Sequence, residues 1–340
     1  MTTLWDTTGT AVVKALAAER RAGGAVMSGL ALTLVVVVEE KQVAEAEEAA
    51  RIAASVVPCR MLMVVRRQVD APVPRLDAEV LIGGRLGPGE SIVMRMYGRL
   101  AAHAESVVLP LLAPDAPVVT WWHGPPPDVI AHDPLGVFAD RRITDSAWMP
   151  DPGAALAVRA ADFLPGDTDL AWTRTTGWRA ALAAALDSVE GTVTGGCVQG
   201  DPGTPTAKLL AGWLSARLGC DIDLEPAEKV PGNTAVSGAR LDLDTDRVII
   251  LQRIDARTVS VHGGAGPDTV VQLPKRNLGD LLGEELRRLD ADQPYGEALA
   301  AATGASGLTD RSGRRRHVWL DPADQITADQ NSAEQNAARA

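Results

Sequence analysis

Aromatic residues other than tryptophan are scarce. The 340-residue chain has two Phe and two Tyr against eight Trp. Ala, Val and Leu must therefore fill most of the core, which makes each Trp conspicuous. Cysteine is nearly as rare. Cys59, Cys197 and Cys220 are odd in number, far apart and never in a CxxC pair, which excludes a disulfide framework and fits a reducing compartment. No basic-then-apolar leader opens the chain. The longest apolar run, Leu30–Val38, is far short of the roughly 20 residues a membrane span needs. A cytoplasmic protein without a membrane partner is expected. Net charge is −11, which repels a phosphate backbone. The one dense basic run, Arg314–Arg316, lies in a polar tail, so no nucleic-acid partner is expected.

Catalytic signatures are missing as well. There is no GxGxxG and no GxxxxGK[ST]. The glycines of 83–89 lie between two strand patterns, without the helix N-terminus that would hold a pyrophosphate. No GxSxG elbow, HExxH or paired Cys/His pattern occurs. His123, His132 and Asp133 share a loop region and could hold a metal or be ordinary polar loop residues. Nothing assembles a nucleophile, a base and an orienting group. The chain reads as a non-enzyme, with no cofactor, no metal site and no catalytic residues.

What is present is an ordinary globular balance, 46% hydrophobic and 23% charged. The pattern predicts a helix over 8–22 ended by Gly23-Gly24, a doubly buried strand at 30–38, a helix at 39–57 and a second buried strand at 60–66. That is a βαβ unit with a parallel pair. A hairpin of 76–82 and 91–97, a helix at 99–109 and a strand at 117–122 follow. A Pro, Gly and Asp cluster at 150–166 marks a boundary. Beyond it come a long helix at 167–186, a strand at 192–199 and a helix at 206–218. Strands at 239–244, 247–254, 258–262 and 269–273 follow, then helices at 277–290 and 294–302. The expected fold class is α/β: an N-terminal mixed sheet with flanking helices, followed by a second α+β domain. The expected ranges are 1–150, 166–304 and a disordered tail at 305–340 with Val318-Trp319-Leu320 as a sticky island.

Three segments are dense in polar or aromatic residues outside these core patterns. Trp121-Trp122 ends a strand, where neighbours point to opposite faces; both are structural, or Trp122 is an interface anchor. Arg141 and Arg142 stand near Asp133 and Asp145. They form an internal salt-bridge network, or offer bidentate sites to a partner's carboxylate or to a phosphate. Trp172 and Trp178 are about 240° apart around a helix, so one face cannot hold both. Trp122, Arg141, Arg142, Asp145, Trp172 and Trp178 are the candidate partner-binding residues.

These segments also carry a resemblance. DTTGTAVVKAL at 6–16, PCRMLMVV at 58–65, PVVTWW at 117–122, DPLG at 133–136, RRITD at 141–145, GDTDLAW at 166–172 with Trp178-Arg179, and LRRLDAD at 286–292 before Pro294-Tyr295 occur in that order. The chain thereby resembles the actinobacterial glucose-6-phosphate dehydrogenase assembly protein family (OpcA) over roughly residues 4–302. The resemblance implies a non-catalytic assembly factor or activator. Its partner would be glucose-6-phosphate dehydrogenase, the entry step of the oxidative pentose phosphate pathway. Cyanobacterial relatives are linked to thiol control, of which the isolated cysteines here give no sign. The alternative from the residues alone is an enzyme or sensor that binds a sugar phosphate through Arg141 and Arg142.

Overall fold

The structure is a computed structural model, describing residues 1–22, 29–83, 89–187, 189–227, 235–264 and 266–313. The first layer is an eight-stranded sheet. Its strands are β1 (Thr2–Leu4), β2 (Leu32–Val38), β3 (Cys59–Arg66), β4 (Arg75–Ile82), β5 (Glu90–Tyr97), β6 (Val118–His123), β7 (Arg141–Thr144) and β8 (Asp167–Asp169), in the spatial order β1-β4-β5-β3-β2-β6-β7-β8. From β5 to β8 every pairing is parallel; β4 is antiparallel to β5 and β1 to β4. Taken in chain order, the six parallel strands lie third-second-first-fourth-fifth-sixth. That is the winding of dinucleotide-binding sheets, with its reversal point between β2 and β6.

The β-branched run of β2 is almost wholly buried because both faces of this sheet are covered. On one face lie α2 (Val43–Ala54), through Ala46, Ala49, Ala50, Ala53 and Ala54, and α9 (Leu278–Leu286). On the other lie Val12 and Leu16 of α1 (Gly9–Ala22), with Ala101 of α3 (Arg99–Ala102) and Val107 and Val108 of α4 (Glu105–Val108). The helix expected over 99–109 is thus two short pieces, interrupted where His103 leaves helical geometry at φ −113°, ψ 50°.

The second sheet runs β10-β9-β11-β12-β13-β14, from β9 (Val193–Gly200), β10 (Ile222–Pro226), β11 (Val236–Leu243), β12 (Val248–Arg253), β13 (Thr258–His262) and β14 (Thr269–Gln272). Only the β9–β10 pair is parallel. One face packs on α7 (Thr176–Leu186) and α8 (Pro205–Leu218). The other face shows Arg240, Ile250 and His262, in register and exposed. A third cluster joins α5 (Pro152–Asp162), α6 (Leu170–Thr173), α8 and α10 (Gln293–Thr303) around Trp172 and Tyr295. The molecule is α/β, a mixed sheet with helices followed by a second sheet layer.

The long helix read over 167–186 is a strand and two helices. Asp167–Asp169 pairs along β7, and Asp169 then caps α6 by accepting from the Ala171 N–H at 2.9 Å. Acids that read as the first turn of a helix are instead held by tertiary partners. Two stretches of the range expected for the second domain therefore contribute to the first layer, β8 and α9. The chain beyond 305 also packs before it leaves the described residues. Leu308 is buried, and the Arg311 guanidinium donates to the carbonyls of Ala160, Ala161 and Phe163. Gly23-Gly24, the hairpin turn at 84–88, Arg314–Arg316, His317 and Val318-Trp319-Leu320 lie outside the described residues.

Candidate functional site

The short parallel strands β7 and β8 run side by side, and the polar residues of three sequence motifs meet along them. Arg141 reaches from β7 to α9, donating to Glu285 Oε2 from Nη2 at 2.5 Å and from Nε at 3.2 Å, and to the Asp290 carbonyl at 2.7 Å. Thr173 donates to the other oxygen of Glu285 at 2.7 Å. Arg142 pairs with Asp167 and donates to the carbonyls of Ala139 and Pro165. Asp169 accepts from Thr144 Oγ1 at 2.8 Å and from Ser146 Oγ at 2.7 Å. Trp172 Nε1 donates to Asp292 at 2.8 Å, and the Arg179 guanidinium lies 3.7 Å over the Trp172 ring. Burial pushes the Asp167 carboxyl above its ordinary range against the pull of Arg142. This network holds the first sheet to the C-terminal helices.

All six residues expected at a partner surface lie inside. Arg142, Trp172, Arg141 and Trp122 are at most 1% exposed, Trp178 4% and Asp145 6%. The internal partners also differ from the neighbouring acids that sequence proximity suggests. Arg141 takes Glu285 and Arg142 takes Asp167, while Asp145 pairs with Arg174 at 2.6 Å. Trp121 and Trp122 do point to opposite faces, but both faces are covered. Trp121 joins the α2 side, and Trp122 lies over Gly136. Gly136 must be glycine, because a Cβ there would sit 1.8 Å from the Ile130 carbonyl oxygen. Trp178 and Trp172 belong to different clusters, one under the second sheet and one around Tyr295.

The crevice at the β2–β6 reversal point is where an open parallel sheet of this winding holds a dinucleotide. Here Val38 and His123 are register partners at its base. The turn that follows β2 is Glu39-Glu40-Lys41-Gln42, with no glycine. Arg67 and Arg95 both contact the Glu40 carboxylate at 3.0 Å. His123 Nε2 lies 3.3 Å from Glu45. The turn thus brings a carboxylate that engages both arginines, in place of the glycine-rich amides that cradle a pyrophosphate. Among the described residues no group of three or more His, Cys, Asp or Glu is arranged to hold a metal.

The buried network also sets a surface feature that the motif pattern alone did not single out. Asp145, held by Arg174, caps the short turn Ser146–Trp148 by accepting from the Ala147 N–H at 3.3 Å. The Trp148 side chain at the end of that turn is 66% exposed. It stands on a cleft of about 800 Å³ between the two sheets, whose lining also includes Arg174, Trp178, Thr206, Arg253 and Lys275. The signal in the sequence was position: Trp148 follows RRITD by two residues and precedes Met149-Pro150. Trp5, 68% exposed beside β1, is a second large apolar group at the surface.

Two family models match the chain in succession. Residues 50–161 match the N-terminal domain of the glucose-6-phosphate dehydrogenase subunit family, and residues 165–299 match the C-terminal domain of that same family. No curated protein matches the sequence. Among solved structures, a dehydrogenase (MviM) from Clostridium difficile is 9% identical with a TM-score of 0.37, covering 80% of this chain and 96% of that one. That likeness is too distant to bear on fold or function.

Proposed function

The chain belongs to the glucose-6-phosphate dehydrogenase assembly protein family, OpcA, and from that membership we propose that it is a non-catalytic assembly factor and activator. In this reading it binds glucose-6-phosphate dehydrogenase in the cytoplasm and supports the active oligomer at the entry of the oxidative pentose phosphate pathway. The observation that carries the reading is the pair of family matches, which together take in most of both sheets.

The site geometry supports it in two ways. The acidic turn at the crevice is unsuited to a nicotinamide dinucleotide, the cofactor a dehydrogenase of this winding would use. The motif residues converge on a buried network, as befits a rigid frame that presents a surface. In this proposal Trp122, Arg141, Arg142, Asp145, Trp172 and Trp178 act from within, by fixing the turn that carries Trp148. Exposed Trp is over-represented among the residues that dominate binding energy. The sugar-phosphate alternative needs free guanidinium groups at positions 141 and 142, and Glu285 and Asp167 already occupy both.

An activator must bind the active state of its target more tightly than the inactive one. A tenfold ratio corresponds to about 1.4 kcal/mol, within the reach of one well-buried Trp contact. The test is to titrate the purified chain into glucose-6-phosphate dehydrogenase, following turnover and oligomer mass together. Saturable activation with a stoichiometric complex is expected. Unchanged turnover and no complex would refute the reading.

A further inference from the structure

The cleft between the sheets has a charge pattern that the network does not explain. Among the described residues its lining carries Arg174, Arg253, Lys275 and Arg276 against one acid, Glu45, in a chain whose net charge is −11. Two of these cations are spent internally, Arg174 on Asp145 and Arg276 on Glu284. Arg253 and Lys275 form no ion pair among the described residues.

Arg253 is the unusual member. It ends β12, is 7% exposed and stacks 5.4 Å from the Trp178 ring centre. Its Nη1 donates only to backbone carbonyls, those of Leu273 at 3.1 Å and Asp255 at 3.3 Å. Its Nε is buried and has no hydrogen-bond partner among the described residues. Asp255 acts on it electrostatically but makes no ion pair with it; a desolvated guanidinium without a direct partner is costly, and a buried unmet donor calls for a specific reason. Burial accordingly lowers its pKa.

The N-terminus of α8 opens on the same cleft through Thr204, Pro205 and Thr206. This helix has 14 residues, and its first turn receives no side-chain cap from Thr204. Pro205 has no N–H, so the uncapped first-turn amide lining the cleft is that of Thr206; with the positive end of the helix dipole it is suited to an oxyanion. An apolar stretch of the wall is formed by Trp178, Leu273, Leu278 and Leu281, beside the polar Thr176, Gln272 and Asn277. At about 800 Å³ the space falls within the range of small-molecule sites, roughly 300–1,000 Å³.

We propose that this cleft binds a small organic anion, a phosphate or carboxylate on a flat or apolar body. Arg253 and the first turn of α8 receive the oxyanion, Lys275 adds charge at the rim, and the body lies against Trp178. A small molecule is favoured over a partner's side chain because Arg253 is only 7% exposed, against 66% for Trp148 on the same cleft. The proposal concerns the isolated chain, so it stands or falls independently of dehydrogenase binding.

The test uses the isolated full chain, with calorimetry and tryptophan fluorescence. The probes are phenyl phosphate, benzoate, inorganic phosphate and, as a neutral control, phenol. One-to-one binding of phenyl phosphate or benzoate is expected, tighter than inorganic phosphate, weakened by salt, with no binding of phenol. Preference between the first two identifies the head group. Arg253→Met should weaken the better probe at least about tenfold while leaving the melting temperature unchanged or raised. Lys275→Met, at an exposed position, should weaken it about threefold and flatten the salt dependence. The proposal fails if neither aromatic anion saturates, or if both variants bind like the parent. It also fails if no anion binds while Arg253→Met abolishes capture of the dehydrogenase, which would make Arg253 a receptor for a partner carboxylate.

Discussion

Glu285 closes on Arg141 across 144 residues of chain, joining α9 to the end of β7 inside the protein. Arg141 is 1% exposed and Glu285 4%. Removing one partner strands a buried charge, so Arg141→Ala or Glu285→Ala should cost ~3–5 kcal/mol. The paired apolar replacement Arg141→Met with Glu285→Leu should recover most of that loss. Chemical denaturation of the three variants measures it. An Arg141→Ala variant as stable as the parent would mean the pair does not hold the layers together.

Trp148 should behave in the opposite way. Its side chain is largely in solvent, so Trp148→Ala should shift the melting temperature by no more than about a degree or two. Affinity for the dehydrogenase should fall by ~2 kcal/mol, about thirtyfold, as for a central interface Trp. Calorimetry against the purified dehydrogenase separates the two effects. Full affinity in this variant would move the interface elsewhere, with Trp5 the next residue to replace.

Asp162 gives stability a pH dependence. Burial raises its carboxyl to about 6 in the folded chain, against an ordinary value of 3.8. The folded state therefore holds this proton more tightly than the unfolded state. The resulting stabilisation is complete below about pH 4 and is lost as pH rises through about 6. Asp162→Asn keeps the acceptor for the Ile130 N–H, a 2.8 Å bond, and cannot titrate. Relative to the parent, the variant should gain stability from about pH 4 to about pH 6 and hold that gain at higher pH. A difference that does not change with pH would contradict the assignment.

The thiols should be unreactive in the native protein. Cys59 and Cys197 are buried, and burial raises their pKa to about 12 and about 11, so the reactive thiolate is scarce at neutral pH. Cys220 is partly exposed and should react first. Mass spectrometry after brief alkylation, with and without denaturant, reads the order. Rapid native labelling of Cys59 would show that β3 opens.

The parallel core was legible because its strands are local patterns. Residues 30–38 and 60–66 read as doubly buried strands, and β2 and β3 there pair in parallel; α8 spans Pro205–Leu218 where helical spacing predicts a helix over 206–218. The polar residues were less legible. Asp167 and Asp169 look like a helix start, yet Arg142 and Thr144 draw them into an edge strand. The partner of Arg141 lies too far along the chain for any local charge pattern to reveal. Trp122 reads as exposable, but the loop that brings Gly136 against its ring covers that face. Trp148 is the converse: no periodicity marks it, and only the turn capped by Asp145 places it outside.

The central claim is that this chain acts by binding glucose-6-phosphate dehydrogenase, using a surface fixed by the buried network. The most direct measurement is dehydrogenase turnover against added chain, with complex mass read by light scattering on the same samples, for the parent and for Trp148→Ala. The account predicts saturable activation at a fixed stoichiometry for the parent, and a curve shifted about thirtyfold to higher concentration for the variant. The opposite result is NADP reduction by the chain alone, or a dehydrogenase whose turnover and mass do not respond to it.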